Sequence, residues 1–387
     1  MEQIITSLLD TDLYKISMMQ CVFHQYPDTT VRYEFKCRND DVELGFLRKE
    51  IQKQALAMDG MRFTKGECDY LRTLPFLTDD YVDWLENDFA LDSNNVNVDE
   101  EDGHLYITIG GYWAETILWE VPLLAIVNEL YFATRIDDFK AIRYGRLKLY
   151  DKIQLMRKRP RMLIAEFGTR RRFSKDWQRE VVHTLANDAP NLIGTSNVLL
   201  AKELGLKPIG TMAHEYISAH LSLVDNIETA QKRALHVWLQ EYGTDLGIAL
   251  TDTFTSDAFF RDFGVVLARE FSGLRHDSGD PIKFGEKAIA HYEKLGIDPR
   301  TKSIVFSDGL DVPTAVQIFD HFTGRIGLAF GIGTNLTNSV GLDPLNIVIK
   351  LVGCNGLDVV KLSDNPGKEM GNPEVVEEVK KAYKVEQ

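Results

Sequence analysis

From Arg161 onward the chain keeps one rhythm, in which short apolar segments alternate with longer amphipathic ones. MLIAEF is followed by a helical pattern from Trp177 to Asn187, then NLIGTS, a second helical pattern and KPIGTMA. The series runs on through IALTD, SGLRHDS, SIVFSD and IGLAFG with helical patterns between them. Alternation of this kind implies parallel strands joined by right-handed helical crossovers. Roughly seven such units are enough for the sheet to close into a barrel. A doubly wound open sheet would show the same alternation, so periodicity leaves both architectures open.

The residues just after each apolar segment narrow the function. The strand ends are Gly168-Thr169-Arg170-Arg171-Arg172, Gly194-Thr195-Ser196-Asn197 and Gly210-Thr211-Met212-Ala213-His214-Glu215. Beyond them come Thr251-Asp252-Thr253, Arg275-His276-Asp277-Ser278-Gly279-Asp280, Ser307-Asp308-Gly309 and Gly331-Ile332-Gly333-Thr334-Asn335. In a parallel α/β fold all these ends share one face, the face where ligands bind.

Their contents point to a phosphate-rich ligand. Gly309, Gly331 and Gly333 free backbone amides at strand-to-helix turns. Arg170, Arg171 and Arg275 offer paired donors to phosphate or carboxylate oxygens. Asp277, Asp280 and Asp308 are hard oxygen donors of the kind magnesium takes. Each motif alone has an ordinary alternative. Aspartates after strands commonly cap the next helix, and a run of arginines is ordinarily a solvated face, which sends Arg172 to water. Their coincidence on one face carries the reading.

The remainder bounds the class of protein. A chain of 387 residues suggests a large domain with a smaller one. The first 150 or so residues mix patterns, with alternating strands at Val31 to Cys37 and Leu105 to Ile109 and helical stretches at Glu43 to Met58 and Thr64 to Leu85. Asp92 to Asp102, acidic and Asn-rich, reads as a solvated loop. NIVIKLVG and LDVVKLS near the end are strand-like and precede a polar tail rich in lysine and glutamate. A formal charge of −14 argues against a general nucleic-acid binder. The cysteines, Cys21, Cys37, Cys68 and Cys354, form no CxxC pair and read as reduced core thiols. The apolar run Ile117 to Ala133 is interrupted by Glu120, Pro122, Asn128 and Glu129, a load that membrane spans rarely carry. The expectation is a soluble, cytoplasmic protein with no nucleic-acid or membrane partner.

EFGTRRR, GTSNVLLAKELGLKPIGTMAHE, LRHDSGDP, TKSIVFSDGLD and FGIGTNLTN, in this order and after the opening LLDTDLYKISM, resemble the nicotinate phosphoribosyltransferases over nearly the whole chain. The resemblance implies an irregular, incomplete α/β barrel of the type II phosphoribosyltransferases, with an N-terminal α/β domain completed by the C-terminal segment. The corresponding division is 1–150, 151–340 and 341–387. It also implies a homodimer with shared active sites, nicotinate and phosphoribosyl pyrophosphate as substrates, ATP as co-substrate, and Mg2+.

Roles come residue by residue from that resemblance. His214 matches a histidine that ATP phosphorylates; a neutral imidazole is a competent nucleophile when an acceptor holds its other nitrogen. Asp252 is the expected acceptor, with Glu215 ranked second. Phe167 resembles the residue stacking on the pyridine ring, and Tyr14 of a second subunit the opposite wall. Taken alone, Phe167 reads as a core residue at a strand end. Arg275 is expected to face the substrate carboxylate, and Arg170 and Arg171 to clamp phosphates. Asp277, Ser278 and Asp280 would hold ribose hydroxyls, magnesium and pyrophosphate. Gly309, Gly331, Gly333 and Thr334 would cradle the 5′-phosphate, and Asp308 is also expected to bind substrate. Ser196 stands where the related nicotinamide enzyme has an aspartate; serine can donate to a carboxylate that aspartate would repel, which favours the acid over the amide. The rivals are a nicotinamide or quinolinate enzyme of the same fold and a phosphate-binding barrel lyase or aldolase. The last would want a Schiff-base lysine or a metal-ligand cluster at the strand ends; Lys350 and Lys361 are the nearest lysine candidates, both outside the main βα series.

Overall fold

The structure, a computed structural model, describes residues 2–365 and 369–385. Among these the strands are β1 (Thr30–Cys37), β2 (Val96–Glu101), β3 (His104–Tyr112), β4 (Leu163–Glu166), β5 (Leu192–Thr195), β6 (Ile248–Leu250), β7 (Gly273–His276), β8 (Ser303–Phe306), β9 (Gly327–Ile332), β10 (Ile347–Cys354) and β11 (Leu357–Asp358). The chain divides into two compact units. One holds Met1–Pro160, Ile164–Gly210 and Ile332–Lys350; the other holds Arg161–Leu163, Thr211–Gly331 and Leu351–Gln387. Each is assembled from three stretches of the chain.

In the first unit β1 alternates buried and exposed residues as its sequence predicts, and it pairs antiparallel with β3, Tyr33 opposite Ile109. The acidic stretch expected to be a loop contains β2, paired antiparallel with β3 through Val98 and Ile107. Val96 and Val98 supply the alternation, while Asp99, Glu100 and Glu101 lie exposed on a strand at the sheet's edge, where charge discourages further pairing. The helical pattern from Thr64 to Leu85 is broken. Lys65–Leu71, opened by a Thr64/Glu67 capping box, and Asp79–Asn87 are separate helices, and Pro75 lies in the gap. The stretch Trp113–Ala133 has the length and hydropathy of a membrane span, yet 83% of it is buried within the protein. β4 and β5 run parallel, Glu166 opposite Thr195. KPIGTMA, expected as the next strand, makes only a lone parallel bridge from Pro208 to Thr195. Proline has no N–H to give a ladder.

The second unit carries the regular part of the βα series. β6, β7, β8 and β9 are successive parallel neighbours, with Leu274 opposite Ile304 and Ile304 opposite Leu328. The helices Pro281–Lys294 and Val312–Phe322 come after β7 and β8, capped by Asp280 and Asp311 with proline in the first turn. Parallel βα units beside a separate antiparallel sheet make this an α/β protein.

Candidate active site

In the second unit the ends of β6 and β7 converge on one histidine. His214 begins the helix His214–Ala219 and is 7% exposed. Its Nδ1 lies 3.1 Å from Thr253 Oγ1 and its Nε2 lies 3.0 Å from Asp277 Oδ2. Lys361 Nζ stands 2.9 Å from the same Nε2 and 3.1 Å from Asp252 Oδ2. Asp252 Oδ1, at 3.7 Å from Nε2, is too distant for a hydrogen bond, so Thr253 and not Asp252 engages Nδ1.

Around this core the polar groups are tied down. Arg275 donates Nη2 to Asp277 Oδ1 at 3.0 Å, Nε to Ser307 Oγ at 2.9 Å and Nη1 to the Met212 carbonyl at 3.3 Å. Ser307 Oγ also donates to Asp277 Oδ1 at 2.7 Å. Ser278 donates to Asp252 Oδ2 at 2.6 Å and accepts from the Asp364 amide at 3.1 Å. Asp364 in turn accepts from the Ser256 amide and hydroxyl, while Leu362 N–H donates to the Thr253 carbonyl at 2.8 Å. This stitching delivers Lys361 to the ring. It includes Thr255, a β-branched residue with φ +79°, a conformation that costs energy and persists where surroundings enforce it.

The electrostatics fix the protonation states. Burial and then the Lys361 ammonium hold His214 down at about 4, so the ring is neutral near pH 7. Burial alone would push Asp252 up, but His214 and Lys361 bring it below the usual carboxylate range. Asp277, against the same burial, is held well below that range, chiefly by Arg275. A neutral ring can satisfy only one of the two contacts at Nε2, and the tautomer decides which. With the proton on Nε2 it donates to Asp277. With the proton on Nδ1 it donates to Thr253, and Nε2 accepts from Lys361.

His214, Asp252 and Asp277 also bring one ligand atom each within 4.8 Å of one another. Asp252 Oδ1 is buried with no hydrogen-bond partner among the described residues, a hard oxygen suited to magnesium. Asp280 is not part of this group. It is exposed, and its Oδ1 accepts from the amides of Ile282 and Lys283 at 2.8 and 3.0 Å, as a helix cap.

In the first unit a second polar cluster forms at the ends of β4 and β5. Ser196 is fully buried and donates Oγ to Asp12 Oδ1 at 2.6 Å. The Leu13 amide bonds the Ser196 carbonyl at 2.8 Å, which ties the N-terminal segment to this turn. Arg170 Nε lies 3.8 Å from Asp12 Oδ2, its Nη1 3.5 Å from Glu120 Oε1, and its guanidinium 5.7 Å from the centre of the Tyr14 ring. Tyr14 is therefore buried against Arg170 of its own chain, at 3% exposure. Arg171 donates to the Leu345 carbonyl at 3.4 Å; burial first, and then the neighbouring Arg170 and Arg38 cations, bring it down to about 10.

Arg172 departs from the solvated face expected of it. It is 1% exposed, its Nη1 and Nη2 bond Asp10 at 2.6 and 2.9 Å, and its Nε bonds Glu129 at 2.7 Å. Phe167 is half-buried, with its amide on the Ile332 carbonyl at 2.9 Å. Gly168 must be glycine, since a Cβ there would lie 2.1 Å from Thr337 Oγ1.

Comparison with known proteins joins these observations. A model of the nicotinate phosphoribosyltransferase family matches residues 162–387, and one of that family's N-terminal domain matches residues 9–128. The chain is 51% identical over 383 residues to nicotinate phosphoribosyltransferase of Chromobacterium violaceum, covering 96% of this chain and 94% of that one. It is 49% identical over 387 residues to that of Yersinia pestis, covering 98% and 96%. This chain belongs to the nicotinate phosphoribosyltransferase family. It is a phosphoribosyltransferase of NAD biosynthesis. The crystal structure of nicotinate phosphoribosyltransferase from Porphyromonas gingivalis matches with a TM-score of 0.93 at 38% identity, over 99% of this chain and 100% of that one. The fold is thus the irregular α/β barrel with an N-terminal α/β domain that periodicity left undecided.

The other residues expected of a nicotinate phosphoribosyltransferase take varied positions. Asp308 and Gly309 form the turn after β8, with Gly309 exposed at φ +56°. Gly331 lies buried within β9. Gly333 lets the Phe167 carbonyl approach, since a Cβ would lie 2.7 Å from it, and Thr334 opens the short helix Thr334–Thr337. Lys361, a Schiff-base candidate by sequence, is instead ion-paired beside His214. Sequence reasoning misses Thr253, Asp12 and Glu166 as site residues. Thr253 sits inside the TDT strand end, a signal that residue type alone does not rank.

Proposed function

We propose that this protein joins nicotinate to 5-phosphoribosyl 1-pyrophosphate to form nicotinate mononucleotide, and that ATP drives the reaction through a phosphohistidine at His214. The observation that carries the coupling is the neutral His214 ring with Lys361 beside Nε2 and Thr253 at Nδ1. With its proton on Nδ1, donated to Thr253, the ring presents the Nε2 lone pair. That pair attacks the γ-phosphorus of ATP; the N–P bond forms, the bond to the bridging oxygen breaks, and ADP leaves. The Lys361 ammonium faces the incoming phosphoryl oxygens and compensates their charge. Asp252 and Asp277 would hold magnesium, which would neutralise phosphate oxygens of the substrates. Hydrolysis of the energy-rich phosphoramidate then favours synthesis over the reverse reaction.

In the ribosyl transfer, departure of pyrophosphate leaves positive charge at the anomeric carbon, which nearby carboxylates stabilise. The pyridine nitrogen attacks and needs positioning more than proton transfer. Phe167 supplies a stacking face, Arg170 and Arg171 supply positive charge, and Ser196 accommodates a carboxylate where an aspartate would repel it. The same reading makes the protein a cytoplasmic homodimer with shared active sites.

Incubation with γ-labelled ATP tests the coupling. The expected outcome is acid-labile, alkali-stable label on the wild type and none on His214→Asn. Equal label on both would remove His214 from its role. Faster turnover with nicotinamide than with nicotinate would overturn the choice of acceptor.

A further inference from the structure

We propose that Glu166 is a positioning residue for the pyridine acid, whose carboxyl group locks the Phe167–Thr169 and Thr195–Asn197 turns together. The inference rests on assigning Phe167 and Ser196 to that substrate, and deepens it. Glu166 ends β4 and is fully buried. Its Oε1 accepts from the Gly168 amide at 2.5 Å and from Gln178 Nε2 at 3.1 Å, and its Oε2 accepts from Thr195 Oγ1 at 2.5 Å. Its backbone carbonyl accepts from the Ser196 amide at 2.8 Å. Thr195 Oγ1 in turn accepts from the Asn197 amide at 3.1 Å, and Gln178 Nε2 also reaches Thr169 Oγ1 at 3.1 Å. One side chain thus holds Gly168, after Phe167, and Thr195, before Ser196, and Thr195 passes the tie on to Asn197.

The arrangement asks for an acceptor on both oxygens. Each donor is neutral, and among the described residues no cation touches the group, so burial first, and Asp12 among the charges, raises Glu166 to about 7. The charged groups around it are Asp12, on the N-terminal segment, and the Asp10–Arg172 pair, reached through Gln178, which accepts from Arg172 at 3.2 Å, and Asn197, which donates to Asp10 at 2.8 Å. When Glu166 gains a proton, one oxygen becomes a donor and the Thr195 or Gly168 contact must rearrange. Ionised Glu166 holds the floor; protonated Glu166 loosens it.

The test is the KM for nicotinate of wild type and Glu166→Gln between about pH 6 and 8.5, a window that brackets the titration. Glutamine mimics the protonated acid, with one acceptor oxygen and one amide donor. The variant is expected to raise KM about tenfold at alkaline pH, the worth of a charge-assisted hydrogen bond, with a smaller change in kcat. Wild-type KM rises as pH falls through about 7 and meets the flat profile of the variant at acid pH. A variant with wild-type KM at the alkaline end, or one that keeps the wild-type inflection, overturns the proposal. Should Glu166→Gln fail to fold, Thr195→Val removes one donor and is expected to raise KM, while Thr195→Ser restores it; equal KM for both overturns the proposal. Phe167→Ala, run in parallel, separates the two readings. If it leaves KM unchanged, the substrate assignment fails; if it raises KM while the Glu166 variant does not, only the positioning role fails.

Discussion

Asp252 and Glu166 are both fully buried carboxyl groups at the ends of parallel strands, yet they are pushed in opposite directions. Asp252 has Lys361 at 3.1 Å and stays ionised below the usual range. Glu166 meets only neutral donors and rises to about 7. The same contrast recurs within two residues of the N-terminal segment. Asp10, gripped by Arg172, is lowered against the pull of burial, whereas Asp12, whose shortest bond is to the Ser196 hydroxyl, is raised by it. Burial alone therefore does not set the chemistry of a strand end; the presence or absence of a touching cation does. Where cations are present the fold has prepared fixed charge, suited to phosphoryl transfer. At Glu166, where among the described residues only neutral donors touch the carboxyl group, it has prepared a group that exchanges a proton near neutrality.

The contrast can be broken most severely at Asp277, which accepts from Arg275 and Ser307 and contacts His214. Asp277→Asn keeps the shape but removes the charge, and the rate of phosphoryl label transfer from ATP is expected to fall on the order of a thousandfold. An unchanged rate would show that fixed charge there is dispensable. Lys361→Met removes the cation instead. Loss of about a hundredfold in labelling rate is expected, the scale of removing one donor aimed at developing charge. The sign of the accompanying titration is fixed: Lys361 lowers His214, so without it the ring should titrate above about 4, which ring resonances followed against pH would show. A ring that still titrates at wild-type pH would return the whole effect to burial.

Much of this cluster was legible because parallel strands end on a common face. Asp252, Asp277 and Ser278 follow true strands, whereas His214 follows a segment that forms none, and the structure brings all four together in one unit. Lys361 was not legible as a partner, since it lies 147 residues from His214 and arrives through the Leu362 amide on the Thr253 carbonyl and the Asp364 carboxylate on the Ser256 amide, ties that leave no local pattern. Arg172 read as solvated because a run of three cations gives no hint that Asp10 and Glu129 will meet the third. β2 was missed because its charges belong to an edge strand, and an edge strand and a loop share a polar composition. The KPIG segment errs the other way, with a strand's hydropathy but a proline where a ladder donor is needed.

The cation-free side gives a stability signature. Glu166 titrates at about 7 in the fold and near 4.5 when unfolded, so the folded state binds the extra proton between these values. Its contribution is fully present below about 4.5 and lost as pH rises through about 7, on the order of 3 kcal/mol. Glu166→Gln should flatten that part of the stability-against-pH curve measured by denaturant unfolding. An unaltered slope would assign the proton uptake elsewhere, Asp12 being the nearest alternative.

The smallest expected effect sharpens the comparison at Ser196. Its hydroxyl donates to Asp12, which Arg170 approaches at 3.8 Å, so Ser196→Ala removes a close neutral donor and leaves the distant cation. Asp12 should then rise further, and the turn proposed to lie near the substrate carboxylate loses its hydroxyl. The ratio of kcat/KM for nicotinate over nicotinamide is expected to fall about tenfold, the scale of one hydrogen bond to a charged group. The two acceptors separate recognition from packing. A cavity the size of one hydroxyl would slow both equally, whereas loss of a group that discriminates acid from amide slows nicotinate alone. Equal loss for both would leave Ser196 as a structural tether of the N-terminal segment, and discrimination would pass to Arg170 and Arg171, whose crowded positive charge favours an anion without help from the serine.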